Sequence, residues 1–524
     1  MTTTPGAAPA TRAPAGPLLR LAPGDSVAVA RQDLVAGDEV AVDDRRVVLR
    51  DDVPAGHKVA LEHVGTGQPV RKYGQLIGLA SRDITAGEHV HVQNLAFTAS
   101  GAGADLAVGA DARPTALVPP AERATFQGIV RADGRVATRN YVGVLTTVNC
   151  SATAARRIAD TFRLPGALEE FPGVDGVVAL THGTGCGMDA RGEGAALLRR
   201  TITGYAHHPN FAALLVIGLG CEVNEIAALT QGFDLPPGVP VVAMTIQELG
   251  GTVRTVAEGV ARVRELLPAV GAVRRQPVPA GEIVLGLNCG GSDAWSGVTA
   301  NPALGVASDL LVAQGGTSVL AETPEVYGAE HLLTRRASSP EVAERLMERI
   351  RWWERYTAAS GGSMDNNPSP GNKAGGLTTI LEKSLGAVAK GGSSELSAVY
   401  EYAERISRRG FAFMDTPGYD PVSVTGLVAG GANVVCFTTG RGSVFGCKPA
   451  PSIKLATNSD VFRRMGDDMD VDCGRVLAGE QTVEEAGREI FDLVLEVASG
   501  RRSKSEELGF GDEEFQPWQL GAVM

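Results

Sequence analysis

A chain of 524 residues, 44% of them hydrophobic and 21% charged, has a globular composition with room for two or three cores. Its formal net charge of -12, without any run of Lys or Arg, excludes the electrostatic footprint of a nucleic-acid or anionic-membrane binder and leaves a small molecule as the expected partner. Seven cysteines, an odd number with no CxxC spacing, exclude a disulfide framework and point to reduced thiols in a cytoplasmic protein.

In chain order, residues 1–18 (MTTTPGAAPATRAPAGPL) lack the apolar core of a signal peptide and are expected to be a disordered tail. Residues 19–100 carry short β-rich segments, DSVAVARQDL, DEVAVDDRRVVLR and EHVHVQNL, separated by turns such as PAGH and ITAGE, which predicts a small all-β module. Residues 101–121 are rich in Gly, Ala and Pro and read as a linker with little fixed structure. Over 122–275 apolar strands alternate with helical stretches: YVGVLTTVN then SATAARRIADTF, VDGVVALTH then GEGAALLRRTITGY, FAALLVIGLG then VNEIAALTQGF. That alternation predicts βαβ units around a parallel sheet. Residues 276–524 repeat the style, with strands at VPAGEIVLGL, GTSVLAE and ANVVCFTT and helices at VAERLMERIRWWERY and VEEAGREIFDLVLEVAS. The fold class is therefore multidomain α/β: an all-β module followed by two domains with largely parallel sheets. No internal repeat of fixed period is apparent, and no segment has the length of a membrane span.

Three cysteines sit where a predicted strand ends in glycine: HGTGCG after VDGVVALT, GLGCE after AALLVI and NCGGSD after EIVLGL. Ligands of open parallel sheets bind at the carboxyl ends of strands, where glycine lets backbone N–H groups approach an anion. These turns are expected to converge on one pocket; the alternative for any single cysteine is a small packing residue. Walker A, HExxH and GxSxG motifs are absent, and GTGCGM and GLGCEV are incomplete dinucleotide fingerprints, so hydride, kinase and serine-hydrolase chemistries are not supported.

GHKVAL and RKYGQLIG in the first block, DGRVATRNYVGVLTTVNCSATAARRI and THGTGCGM in the second, and NCGGSDAWSGVTANPALG, DNNPSPGNKAGGLTTILEKSLGA and GCKPAPSIKLATNS in the third resemble the altronate/galactarate dehydratase family, in the same order from about Ser26 to Gly500. The resemblance implies that the first block is a SAF-type β-clip and that the chain is a carbon–oxygen hydro-lyase acting on a sugar acid. It further implies a divalent metal, Fe2+ before Mn2+. Altronate is the first expected substrate; galactarate, galactonate, fuconate and arabinonate are alternatives. C–S lyase chemistry on sulfolactate and a non-catalytic sugar-acid-binding protein are the readings outside this chemistry. A homo-oligomer is expected on general grounds.

Dehydration of a 2,3-dihydroxy acid removes the proton beside a carboxylate, so it calls for a base, an acid for the departing hydroxyl and a cation for the developing charge. His57, Lys58, His182 and Lys373 are the candidate catalytic residues. Cys186, Cys221 and Cys289, with Glu222 and Asp293 close to two of them in sequence, are the candidate ligands of one mononuclear metal; an iron–sulfur cluster on the three thiolates is the alternative. Lys72, Tyr73, Arg139, Asn149, Asn366, Arg441 and Lys448 are the candidate substrate contacts. Asn149 and Cys150 end a fourth strand, and Asp365 and Asn367 flank Asn366 in SMDNNPSPGNK. His89 and His91 alternate on one strand face and are expected at the surface.

Overall fold

The computed structural model describes residues 16–98, 107–233, 235 and 238–521. The expected tail through residue 15, and residues 101–106 of the expected linker, lie outside them.

The first module is built from β1 (Leu18–Leu19), β2 (Val27–Ala30), β3 (Glu39–Val42), β4 (Arg45–Val48), β5 (Lys58–Ala60), β6 (Pro69–Lys72), β7 (Gln75–Ala80), β8 (His89–Val90) and β9 (Leu95–Ala96). Leu18 is thus already sheet, inside the stretch expected to be tail. A four-stranded sheet of order β1-β2-β5-β8 is flanked by the hairpin β3–β4 and by a sheet of order β6-β7-β9. A repeat not apparent in the sequence organises it. LVAGDEVAV (34–42) and VGTGQPVRK (64–72) lead into the two hairpins, while VPAGHKVAL (53–61) and ITAGEHVHV (84–92) supply β5 and β8. Antiparallel bridges Leu34↔Val53 and Val64↔Ile84 join the copies in the same way. The signal is weak because only the pattern apolar-x-x-Gly-x-x-apolar recurs. Its glycines, Gly37, Gly56, Gly67 and Gly87, all sit at φ between +75° and +93°, a region costly for other residues.

The second domain holds β10 (Thr125–Val130), β11 (Val136–Ala137), β12 (Tyr141–Thr146), β13 (Gly176–Leu180), β14 (Phe211–Gly218), β15 (Val241–Thr245) and β16 (Gln276–Pro279). Its parallel sheet has the order β13-β12-β14-β15, while β11-β10-β16 form a small antiparallel sheet. Strand β12 is buried along its whole length because helices Ala152–Thr161 and Glu193–Ala206 cover the sheet, which is why it reads as an unbroken apolar run.

The third domain contributes β17 (Val284–Cys289), β18 (Thr317–Leu320), β19 (Leu396–Tyr400), β20 (Gly410–Met414), β21 (Val434–Thr439), β22 (Ser452–Ala456) and β23 (Val471–Asp472), in one parallel sheet of order β19-β20-β18-β17-β21-β22-β23. The expected helices form where their caps are: Ser339 accepts from Val342 N ahead of Pro340–Ala359, and Thr482 with Glu485 makes a capping box for Val483–Ala498. The expected linker is less loose than its composition suggests. Gly109 N and Asp111 N donate to Thr334 and Arg335 carbonyls, Val118 N donates to Ala313, and Asp111 pairs with Arg335, so this strap lies along the third domain.

Both parallel sheets start in the middle and reverse direction. The chain leaves β12 toward β13 on one side and later resumes at β14 on the other; it leaves β17 toward β18 and later resumes at β21. Each reversal opens a crevice at the carboxyl ends of two neighbouring strands, the usual ligand position of such sheets. Among the described residues no helix is long and apolar enough to cross a membrane.

Candidate active site

At the β17/β21 crevice the loop after β17, CGGSDAW, meets the loop after β21: Gly290 N donates to Thr438 O, and Gly440 N and Arg441 N both donate to Gly291 O. The β module docks beside it. Gly56, at φ +83°, brings its turn against Ala294, Trp295 and Gly375, so that His57 Nε2 lies 3.4 Å from Ala374 O and His91 Nε2 lies 3.0 Å from Lys373 O. His57 Nδ1 and His89 Nε2 share a hydrogen bond of 3.0 Å, and the three imidazoles stack or tilt on one another at centroid distances of 4.9–5.5 Å. His89 and His91 are therefore not on the open surface as expected; they share a face, and the 371–376 segment partly covers it. Burial lowers all three rings, His89 and His91 to about 4, and leaves them neutral at pH 7.

Lys58 and Lys72, both on the module's side of this interface, do not open toward solvent. Lys58 Nζ donates to Gly376 O at 2.7 Å and to both oxygens of Glu382, and Lys72 Nζ donates to Glu382 Oε1 at 2.9 Å, all three side chains being buried. Burial would raise the Glu382 carboxyl, but the two lysines and Thr378 outweigh it and hold it well below the usual carboxylate range. This geometry fastens the module to helix Ile380–Val388. Tyr73, at φ +61° in the hairpin turn, is held by its N–H on Asp25, and its hydroxyl packs on Gly297.

Beneath the crevice lies a group of which the sequence pattern singled out only Cys289. Cys289 Sγ donates to Glu325 Oε2 at 3.1 Å and receives Lys390 Nζ at 2.8 Å; Lys390 also reaches Glu322 Oε2 at 2.8 Å. Lys383 Nζ donates to Glu325 Oε1 at 2.6 Å and to Asn367 Oδ1 at 3.0 Å. Glu322 adopts φ +72°, a strained left-handed conformation for a non-glycine residue, directly after β18. Burial, then Glu322 and Glu325, push the Cys289 thiol up. At the edge of this nest Asp420 opens its helix, its carboxylate 3.5 Å from Asn288 Nδ2; burial first, and Glu322 and Glu325 next, push it up to about 8. The available signal was the rule that selected the cysteines: GTSVLAE ends on Glu322, a carboxylate at a strand end.

Cys289, Glu322 and Glu325 each offer one ligand atom, all within 4.8 Å of one another, a possible metal site. One sulfur with hard oxygens suits a first-row divalent ion. Among the described residues, buried Glu322 Oε1 and Asn288 Oδ1 have no hydrogen-bond donor, so lone pairs remain for a cation.

The other expected ligands and contacts are dispersed. Asp293 is near Cys289 in sequence, but its carboxylate receives Thr457 Oγ1, Ser296 N and Oγ, Trp295 N and Asn458 Nδ2, which makes it the brace of its own loop. Cys186, Cys221 and Glu222 belong to the β12/β14 crevice in the second domain, so the five expected ligands do not form one site. The Glu222 carboxylate accepts from Thr147 Oγ1 at 2.5 Å and from the N–H groups of Leu219, Gly220 and Cys221. His182, expected to be catalytic, is buried in its turn with Nε2 3.0 Å from Thr146 O and Nδ1 accepting from Thr184 N; Asn149 donates to His182 O. Arg139 has no N–H left for a substrate: its five donors go to Glu506, Thr138 O, Val497 O and Arg501 O. Lys448 pairs with Asp512 at 2.9 Å. Asn366 is exposed, and its neighbour Asn367 is the one that reaches the nest, donating to Glu325 Oε1 at 3.1 Å. Lys373 is half-buried on the segment that meets the imidazoles, and Arg441 is exposed beside Gly291 at the crevice itself. A cleft of about 630 Å³ lined by Arg135, Arg200, His207 and Asn433 opens at the amino ends of the strands instead, far from these loops.

Comparison with known proteins agrees with this arrangement of modules. Residues 17–98 match the altronate/galactarate dehydratase SAF domain, 128–271 the D-galactarate dehydratase/altronate hydrolase second domain, and 280–523 the D-galactarate/altronate dehydratase C-terminal domain. The chain is 38% identical to the altronate dehydratase of Escherichia coli (strain K12) over 93% of its length and 96% of that protein. It is 34% identical to the altronate dehydratase of Bacillus subtilis (strain 168) over the same shares. It is also 39% identical to the galactarate dehydratase (L-threo-forming) of Escherichia coli (strain K12) over 87% of each chain. The fold, the domain order and these identities together establish that the chain belongs to the altronate/galactarate dehydratase family.

Proposed function

We propose that this chain is a hydro-lyase that dehydrates a sugar acid, altronate first, at the junction of the β module and the β17/β21 crevice. The observation that carries the location is the docking of the His57 turn on the 371–376 segment beside the strand-end loops. In the reaction the C2–H bond breaks and its electron pair expels the C3 hydroxyl, which leaves as water; the resulting enol ketonises to a 2-keto-3-deoxy acid.

His57 is the base. Its ring is neutral at pH 7; in the tautomer whose Nδ1–H donates to His89 the Nε2 lone pair takes the proton, which the Ala374 carbonyl 3.4 Å away then accepts as a hydrogen bond. Asp420 is the acid: burial, the first cause of its raised carboxyl, favours the protonated form that the departing hydroxyl needs. Arg441 and Lys373 supply positive charge for the substrate carboxylate, Arg441 through the planar fork that suits a carboxylate. Lys58 and Lys72 act through Glu382, keeping the module and its imidazoles seated. A divalent ion, Fe2+ or Mn2+, held by Cys289, Glu322 and Glu325, would supply Lewis-acid stabilisation of the enediolate charge.

The test is a panel of sugar acids incubated with the full chain and ferrous iron without oxygen, scoring 2-keto-3-deoxy product. Product from altronate in preference to galactarate supports the reading. Product from galactarate alone reassigns the substrate, and no product from any acid overturns the proposed activity.

A further inference from the structure

Cys150, Cys186 and Cys221 are exposed, whereas the other four cysteines are buried. Unpaired cysteine ordinarily behaves as a small core residue, so three exposed thiols in one domain require a reason. Each follows a different strand, β12, β13 and β14, which are neighbours in the second sheet.

Their loops are tied together. Asn149 N donates to Thr184 O at 2.9 Å, Asn224 N donates to Gly185 O at 3.0 Å, and Asn224 Nδ2 donates to Thr147 O at 3.1 Å. Gly185, at φ +101°, lies so close to the β12 loop that a Cβ there would overlap the Thr147 carbonyl. Only glycine lets the loop carrying Cys186 press against the loop carrying Cys150. A cleft of about 530 Å³ lined by Asn149, His182, Arg156 and Gln519 opens beside them.

The ligands on offer here are thiols. Glu222 is fully engaged in bracing its own loop, and both nitrogens of His182 have backbone partners. A single tetrahedral ion with metal–sulfur bonds of about 2.3 Å would need sulfurs about 3.8 Å apart. These three do not all lie within 4.8 Å of one another, since the one group of that compactness among the described residues is Cys289 with Glu322 and Glu325. In an iron–sulfur cluster each thiolate binds a separate iron, so a wider set of sulfurs is required.

We infer that Cys150, Cys186 and Cys221 bind an iron–sulfur cluster of the four-iron type, whose fourth iron has no protein ligand and is open to the carboxylate and hydroxyl oxygens of a hydroxy acid. This site is separate from Cys289 and goes beyond the proposed dehydration reading.

The test uses the full chain, purified without oxygen and reconstituted with ferrous iron and sulfide. About four irons and about four acid-labile sulfides per chain, with broad brown absorbance, are expected. Cys150→Ser, Cys186→Ser and Cys221→Ser should each lose most of that sulfide and absorbance while keeping the wild-type circular dichroism spectrum; Cys289→Ser should keep both. Absence of bound sulfide, a single iron or zinc ion on these thiols, or a cluster retained in all three variants would overturn the inference. The readout is iron, sulfide and absorbance, so a chain inactive on every sugar acid would still answer it.

Discussion

The two switch-point crevices are built on the same plan and filled in opposite ways. At β17/β21 the strand-end thiol, two carboxylates and two lysines interlock out of solvent; at β12/β14 the strand-end thiols stay exposed while the carboxylate and imidazole beside them are absorbed by their own loops. The difference shows that topology selects where a site forms and burial selects its chemistry. In low dielectric, each charge of the first crevice persists only because a counter-charge touches it. In the second, the sulfurs are exposed to water and have no such counter-charge to satisfy.

The largest effect expected is on turnover at the first crevice. His57→Ala should lower turnover of the accepted sugar acid by a factor of about 100 to 10,000, with the fold intact by circular dichroism. A change under about threefold would leave His57 as a docking contact of the β module only. Lys390→Met should come next: it leaves Glu322 buried without its cation, for a loss of about 3–5 kcal/mol in denaturant unfolding of the third domain. The corresponding change at the open crevice, Cys186→Ser in the metal-free chain, should cost no more than about 0.5 kcal/mol. Equal losses would erase the contrast between the two.

Much of this layout was legible in the sequence. Alternating apolar runs and helical stretches located β12, β13, β14 and β17, and glycine after a strand located the thiol loops. What could not be read were partners far away in the chain. The alternation of His89 and His91 correctly put them on one face, but the carbonyl that meets His91 belongs to Lys373, 282 residues later. Arg139 and Glu222 looked like ligands because residue type carries no record of which backbone groups surround it. Once five N–H groups are taken by Glu506 and three carbonyls, or a carboxylate by three N–H groups and Thr147, Arg139 has no capacity for a substrate and Glu222 none for a metal. Glu325, Lys383 and Lys390 were invisible for a related reason: they come from helical segments whose inward faces are defined only by packing.

A smaller effect concerns pH. His89 and His91 titrate near 4 in the fold against 6.5 unfolded, so the unfolded chain binds more protons between those values. The stability of the β module should therefore be full above pH 6.5 and decline as pH falls toward 4. His91→Gln should flatten that decline in thermal unfolding curves recorded across this window, and an unchanged slope would mean the imidazoles are better hydrated than their packing implies.

Acid catalysis by Asp420 is tested by the pH dependence of kcat/KM for the accepted sugar acid, in the wild-type chain and in Asp420→Asn. A base that must be neutral and an acid that must be protonated give a bell whose upper limb is set by loss of the proton on Asp420. Asp420→Asn should lower the maximum by about 100-fold or more and remove that upper limb. An upper limb that survives the substitution, with turnover near wild type, would contradict that role and move the acid, and with it the active centre, away from the β17/β21 crevice.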